Sequence, residues 1–136
     1  MSEAVRLAHT TVGERADEAV GLTDAIVTDA VTMINAFTVP AGQGELFLTR
    51  WKDNVTVMAA QPGFVQAKMY RAMDENADLG FVNVVHWDSG EALAKARTNP
   101  EWRAAVQRMM DDDDLHITAR PMVYGTALVV GPGDRP

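Results

Sequence analysis

The chain has 136 residues, of which 47% are apolar and 23% charged, a balance typical of one globular domain. It contains no cysteine, which excludes a disulfide framework, a zinc–thiolate site, an iron–sulfur cluster and a thiol nucleophile. The formal net charge of −7 disfavours a nucleic-acid partner, because an acidic protein releases few counterions from phosphates.

The first part of the chain, residues 1–29, is acidic and keeps no long apolar periodicity. We expect either a surface arm that lies on the domain or on a partner subunit, or a disordered leader. This segment has no basic region followed by an apolar run, and no stretch of about 18 apolar residues occurs in the chain. The sequence therefore predicts a cytoplasmic protein without a membrane partner.

Residues 30–130 carry the periodic patterns of a folded domain, and residues 131–136 form a polar tail. The predicted elements are a strand at 31–39, a helix at 45–60, strands at 64–73 and 81–87, two short helices at 88–97 and 99–110, and a strand at 117–130. The order β-α-β-β-α-β, with the second helix in two pieces, predicts an α+β fold of the ferredoxin-like type. Its sheet is antiparallel, with the helices on one face.

Two helix starts carry capping signals. Asp88, with Glu91 three residues later, resembles a capping box. Asn99 followed by Pro100 is typical of an N-cap with proline in the first helical position. We therefore expect a break between the two short helices.

Two asparagines lie in the middle of predicted strands, where this residue type is depleted. Strand alternation places Asn35 on one face with Met33 and Phe37, and Asn83 on one face with its apolar neighbours. The predicted topology makes these two strands central neighbours. Either each amide bonds a neighbouring group within a plain core, or the two amides are the polar groups of an apolar ligand pocket.

The remaining polar candidates give weaker patterns. His86 faces the opposite side of its strand and is a candidate base, or a histidine in a subunit interface. The histidines show no metal-binding spacing. The aspartates at 111–114 are typical of a solvated loop that ends a helix rather than of a metal site.

Several segments together resemble the antibiotic biosynthesis monooxygenase family of the dimeric α+β barrel superfamily. They include INAFTVPAGQGELFLTRW, FVNVVHWDSGEALAKA and NPEWRAAV, and the resemblance covers about residues 31–130. It implies a ferredoxin-like protomer that pairs sheet to sheet as a homodimer, with the last strand reaching toward the partner. In one branch it implies oxidation of phenolic substrates by O2 without flavin, haem or metal.

The resemblance also implies site residues. Asn83 and Trp87 match an asparagine and a tryptophan that line the cavity in that branch, Leu93 stands where the branch has a cavity tyrosine, and Arg103 or Arg108 is the candidate for a helix arginine. The candidate catalytic residues are therefore Asn83, Trp87 and His86, and the candidate substrate contacts are Asn35, Phe37, Trp51, Phe81, Val85, Leu93 and Arg103.

The function expected from these residues is that of a cofactor-independent monooxygenase acting on a small aromatic or polyketide-like phenol. Two alternatives remain open: a ligand-binding dimer without catalysis, and a cofactor-free isomerase, cyclase or decarboxylase. A second branch of the family degrades haem. Ala96 and Val106 stand where that branch has a tryptophan and the haem-ligand histidine, so haem degradation is not the leading expectation.

Overall fold

A computed structural model describes residues 28–134 of the chain. The elements are β1 (Val31–Thr38), α1 (Gly44–Ala59), β2 (Phe64–Arg71), β3 (Phe81–Trp87), α2 (Gly90–Ala96), α3 (Pro100–Met110) and β4 (Thr118–Tyr124). The predicted order is confirmed, including the division of the second helix into two pieces. Most of the acidic N-terminal segment lies outside the described residues.

The four strands form one antiparallel sheet in the order β2-β3-β1-β4. This is the ferredoxin-like topology predicted from the sequence, with β1 and β3 in the centre. In their register Asn35 lies directly opposite Asn83. The proline of β4, Pro121, lies opposite Asn35 on the other side, which is tolerated because β4 is an edge strand.

The hydrophobic core lies between the sheet and the helices and consists of two clusters. One cluster contains Met33, Val85 and Trp87, together with residues of α2 and α3. The other contains Phe37 and Phe81, whose rings lie 4.9 Å and 5.0 Å from the ring of Phe47 on α1. Along both central strands, the asparagine pair lies at the boundary between the two clusters.

The two short helices differ in how well their starts were predicted. The N-cap of α3 is confirmed, since Asn99 Oδ1 accepts hydrogen bonds from the backbone N–H groups of Glu101 at 2.8 Å and Trp102 at 3.3 Å. The capping box at Asp88 is wrong. Ser89 is the N-cap of α2, because its backbone is extended and its Oγ accepts from Ala92 N at 3.0 Å.

The last strand is shorter than predicted. It ends at Tyr124 rather than near residue 130, because Tyr124 pairs with Thr32 and β1 begins only one residue before that position. Residues 125–130 therefore have no strand partner in the described chain. Leu128 and Val129, within this segment, are 73% and 79% exposed.

Candidate functional site

A cavity of about 110 Å³ lies between the central strands and helices α1 and α3. The sheet contributes the two asparagines with the neighbouring apolar side chains of β1. The helices contribute tryptophan, valine and methionine side chains. The lining is as follows: Met33, Asn35, Phe37, Asn83, Ala119 and Pro121 from the sheet; Trp51, Asn54, Val55, Val57 and Met58 from α1; Arg97; and Trp102, Ala105, Val106, Met109 and Met110 from α3. An apolar cavity with a few convergent polar groups is the usual form of a small-molecule site.

The asparagine pair forms the polar floor of this cavity. Asn35 and Asn83 are direct partners on adjacent strands, which brings their Cβ atoms to within about 5.5 Å. Asn83 is only 2% exposed, and the side-chain oxygens of both asparagines lack hydrogen-bond partners. Leaving such an oxygen buried and unpaired costs about 1–3 kcal/mol. Two neighbouring acceptors are therefore available to a hydroxyl group that enters the cavity.

Arg97 adds a charge to the same cavity. It is the residue that follows α2, its side chain is 2% exposed, and it is the only ionisable residue among the described residues that line the cavity. A guanidinium stays protonated at all accessible pH values. The lining therefore contains one permanently charged side chain, which also has an interaction within the protein.

Trp87 lies beside the cavity rather than in its lining. It is 1% exposed, and its indole N–H has no hydrogen-bond partner. Its ring lies 5.9 Å from that of Trp102, which does line the cavity. Because four residues of strand span about 13 Å, Asn83 and Trp87 are too far apart to contact the same substrate atom.

The structure brings four of the predicted site residues together in the lining, namely Asn35, Phe37, Trp51 and Asn83. It places the apolar residues Phe81, Val85 and Leu93 in the packed core outside that lining, where they are 6% exposed or less. Arg103 is exposed on α3 and does not line the cavity.

His86 lies on the opposite face of the sheet from the cavity. Its side chain is exposed, and its Nδ1 lies 3.0 Å from the hydroxyl of Thr32, its partner on β1. A base at this position cannot reach a ligand in the cavity of the same chain, because the sheet lies between them.

Three residues that matter for the cavity were missed by sequence reasoning. Asn54 follows Trp51 by three residues and precedes Met58 by four, so helical spacing places it on the same face. Arg97 follows the buried Leu93 by four residues, so helical spacing places it on the buried face of α2 as well. Trp102, a buried residue of α3, is the third.

The acidic run after α3 takes part in an ion pair. Asp112 Oδ2 accepts from Arg50 Nε at 2.6 Å, and this hydrogen bond lowers the pKa of the Asp112 carboxyl below its ordinary value of 3.8. Within residues 28–134, no three His, Cys, Asp or Glu side chains are grouped so that they could hold a metal ion. None of the described helices is long and apolar enough to cross a membrane.

The chain is therefore a ferredoxin-like α+β protein with an apolar cavity between its sheet and its helices. The chain belongs to the antibiotic biosynthesis monooxygenase family, whose sequence model matches residues 30–108. It is 33% identical over 115 residues to a deoxynogalonate monooxygenase from Streptomyces nogalater, covering 82% of this chain and 95% of that protein.

Solved structures of two functional types resemble the chain. SnoaB, a cofactor-independent oxygenase from Streptomyces nogalater, is 26% identical with a TM-score of 0.60, and the match covers 75% of this chain and 97% of that one. The heme-degrader MhuD from Mycobacterium tuberculosis, with two hemes bound, is 25% identical with a TM-score of 0.56, covering 74% and 99%. The fold is therefore shared by relatives with different chemistry, so the function has to be argued from the residues that line the cavity.

Proposed function

We propose that this protein is a cofactor-independent monooxygenase that oxidises a small aromatic phenol with O2. The main support for this proposal is the pair of unpartnered amide oxygens, those of Asn35 and Asn83, on the floor of an apolar cavity. The oxygenase activity of SnoaB and the monooxygenase activity of the Streptomyces nogalater relative support the same reaction type.

The amide pair suits a phenol in both of its protonation states. The carbonyl oxygens accept a hydrogen bond from the neutral hydroxyl, and the amide N–H groups donate to the oxyanion that forms when the hydroxyl ionises. A phenolate is electron-rich enough to reduce O2 directly. The surrounding apolar residues exclude water from the intermediates. In this proposal Asn83 and Asn35 hold the reacting oxygen, while Phe37 and Trp51 contact the ring.

The reaction balances without a further reductant. A phenol with a ring hydrogen para to the hydroxyl gives a quinone: one oxygen atom of O2 becomes the new carbonyl oxygen, and the other leaves as water. The two hydrogens of that water come from the ring carbon and the hydroxyl. The substrate supplies all four electrons that reduce O2.

The cavity volume favours a small substrate. Its volume of about 110 Å³ is smaller than the roughly 150 Å³ of an engineered protein cavity that binds benzene, so it has room for at most about one aromatic ring as it stands. Methionines such as Met58, Met109 and Met110 line it, and their unbranched side chains can move to admit a larger ring system. We therefore expect one-ring and two-ring phenols to bind before polycyclic ones.

Trp87 has a positioning role in this proposal. It packs against Trp102, which lines the cavity, and its ring also lies 5.6 Å from the ring of Phe64 in an edge-to-face arrangement. Leu93, Val85 and Phe81 support the same core. His86 and Arg103 are too exposed to contact a substrate held by Asn83 within one chain, so their predicted roles depend on a partner subunit.

The proposal includes a homodimer that pairs through the outer face of the sheet. Both core clusters take their strand residues from the opposite face, and the outer face carries Tyr70, Met122 and Tyr124 at 52%, 41% and 50% exposure. The exposed apolar residues 128–130 continue beyond the edge strand and are suited to pairing with a second copy. Light scattering should give twice the chain mass of 14.8 kDa, and a monomer mass contradicts this part of the proposal.

The test of the function is oxygen uptake with a panel of one-ring phenols, naphthols and anthrones, without added cofactor. Wild type should consume O2 and place one atom of isotopically labelled O2 in the product. Asn83→Ala should reduce turnover by about 100-fold, the usual effect of removing one donor to an oxyanion. Met33→Leu changes an apolar lining residue at nearly constant volume and is the matched control.

The same experiment separates the alternatives. Turnover without O2 uptake supports an isomerase, cyclase or decarboxylase, and binding without turnover supports a ligand-binding dimer. O2 uptake without label in the product indicates an oxidase. The cytoplasmic location stays a prediction.

The likeness to MhuD raises haem as a ligand, and the cavity does not fit it. The two histidines of the described chain, His86 and His116, are exposed and neither lines the cavity, so no described imidazole can bind iron there.

A further inference from the structure

We propose that small aromatic ligands enter the cavity through a surface groove between α1 and α3, and that the side chains of Asn54 and Met109 form the gate between the two. The groove runs between Asp53 on α1 and Ala104 and Arg108 on α3, which are exposed. Asn54 and Met109 line this groove and also line the cavity. The inference rests on the cavity being a ligand site, as the proposed function requires, but it does not depend on a reaction with O2.

The gate is the narrow part of the route. The groove has a volume of about 640 Å³ and the cavity one of about 110 Å³. Between them, Met109 is 6% exposed and Asn54 is half-buried, so these two side chains separate the cavity from solvent. Methionine is unbranched and has three rotatable bonds. Rotation of its side chain can therefore widen the passage while the backbone of both helices stays in place.

An ion pair joins the two helices beside the gate. Arg50 Nε donates a hydrogen bond to Asp112 Oδ2 at 2.6 Å, and both residues line the groove. Arg50 precedes Asn54 by four residues, so the two lie on the same face of α1. Asp112 follows Met109 by three residues. The ion pair therefore holds the turn that carries Asn54 against the end of the helix that carries Met109, and breaking it should open the gate more often.

The other boundaries of the cavity are less suited to passage. The central strands close its floor, and at the other end of α3 the lining residues Trp102 and Ala105 are buried, as is Arg97 after α2. A second open groove lies beside α2, between Gln61 and Pro100. Among the described residues, this second groove shares no lining residue with the cavity. The groove between α1 and α3 is therefore the better route.

A gate has a kinetic signature that distinguishes it from a binding contact. It alters the barrier that a ligand crosses in both directions, so kon and koff change by the same factor and Kd stays constant. A residue that contacts the bound ligand changes Kd instead. The tryptophans can report the binding, because Trp51 and Trp102 line the cavity and Trp87 lies beside it.

The experiment is stopped-flow mixing of the full chain with 2-naphthol in the absence of O2, followed by tryptophan fluorescence. Ala104→Phe places a ring in the groove without touching the cavity. It should lower kon and koff together by about 3-fold or more and leave Kd within about 2-fold of wild type. Ala59→Phe is the matched control, because Ala59 is an exposed alanine of α1 that lines neither groove nor cavity. It should leave both rate constants unchanged.

Two variants should act in the opposite direction. Asp112→Asn weakens the ion pair and should raise kon and koff together by about 2-fold, in line with the modest strength of exposed ion pairs. Asp113→Asn removes the same charge at an exposed position outside the groove and should leave both constants unchanged. Asn54→Ala shortens one side chain of the gate. It should raise kon more for 2-naphthol than for phenol, because the wider ligand is hindered more by the closed gate.

Two results overturn the proposal. If Ala104→Phe leaves kon at the wild-type value, the ligand enters elsewhere. If it changes Kd through koff alone, it acts on the bound state and not on the route. Failure of the inference and failure of the function are distinguishable. O2 uptake with kon unaffected by Ala104→Phe removes the gate and leaves the monooxygenase standing. Slowed binding in Ala104→Phe without O2 uptake by wild type does the opposite, and absence of saturable binding by wild type removes both.

Discussion

Replacement of Asn83 by leucine distinguishes a ligand site from a plain core by the sign of its effect on stability. Asn83 is 2% exposed, and its Oδ1 has no hydrogen-bond partner. If the amide serves to bind a ligand, its burial without a partner lowers the free energy of unfolding of the ligand-free protein. Asn83→Leu should then stabilise the fold and abolish activity.

The magnitude follows from the unpaired acceptor. A buried polar group without a partner costs about 1–3 kcal/mol, and an apolar side chain of similar shape removes that cost. Leucine also contacts Val85 and Phe81, the neighbours two residues away on the same face of β3. We expect the free energy of unfolding to rise by about 1–3 kcal/mol, which raises Tm by about 4 °C or more.

The assay is thermal and denaturant unfolding of wild type, Asn83→Leu and Met33→Leu at one protein concentration, with oxygen uptake measured on the same samples. Met33→Leu is a nearly volume-conserving change in the same lining and should alter stability by less than about 1.5 kcal/mol. If Asn83→Leu lowers Tm by several degrees while Met33→Leu does not, the amide holds the fold together. The reasoning that places the site at the asparagine pair is then refuted.

Two further predictions concern the frame around the site. Gly63→Ala should destabilise the protein by about 2–5 kcal/mol in a denaturant titration, because Gly63 has φ +89° and an added Cβ would lie 2.4 Å from the Cβ of Ala92. Gly42→Ala is the matched control, because Gly42 has φ +85° and no atom lies within 4 Å of an added Cβ. It should lower the free energy of unfolding only by the cost of the left-handed backbone conformation, about 1–2 kcal/mol. Equal losses in the two variants would contradict the predicted clash at Gly63. Asp112→Asn should lower Tm at neutral pH, because the hydrogen bond from Arg50 lowers the pKa of Asp112 and so stabilises the fold while the carboxyl is ionised. The difference from wild type should vanish as the pH falls through the pKa of folded Asp112, below 3.8.

The fold could be predicted because each element carries its own local signal. Strand alternation placed the side chain of Asn83 on the helix side of the sheet, and the β-α-β-β-α-β order placed its strand beside that of Asn35. The end of β4 could not be predicted in this way. Residues 125–130 have strand-forming composition, but a strand also needs a partner, and β1 begins too late in the register to provide one.

The site was predictable in part, for a related reason. Strand alternation predicts on which face of the sheet a side chain lies. It does not predict where the helices are far enough from the sheet to leave a cavity. Phe81 and Val85 share the face of Asn83 and yet lie in packed core. The burial of Arg97 was not predicted, because a basic residue at the end of a short helix is ordinarily a surface residue that interacts favourably with the helix dipole. Only its spacing from Leu93 indicates burial.

The position of the asparagine pair explains how the fold tolerates two buried, unpaired amide oxygens in the centre of its sheet. Along β3 the order is Phe81, Asn83, Val85, and the first and last of these belong to different core clusters. Each cluster therefore packs its aromatic rings without using the amides. The polar cost stays confined to the boundary between the clusters, where the cavity lies. A single continuous core would be more stable, but it would leave no space for a ring against the two amide oxygens.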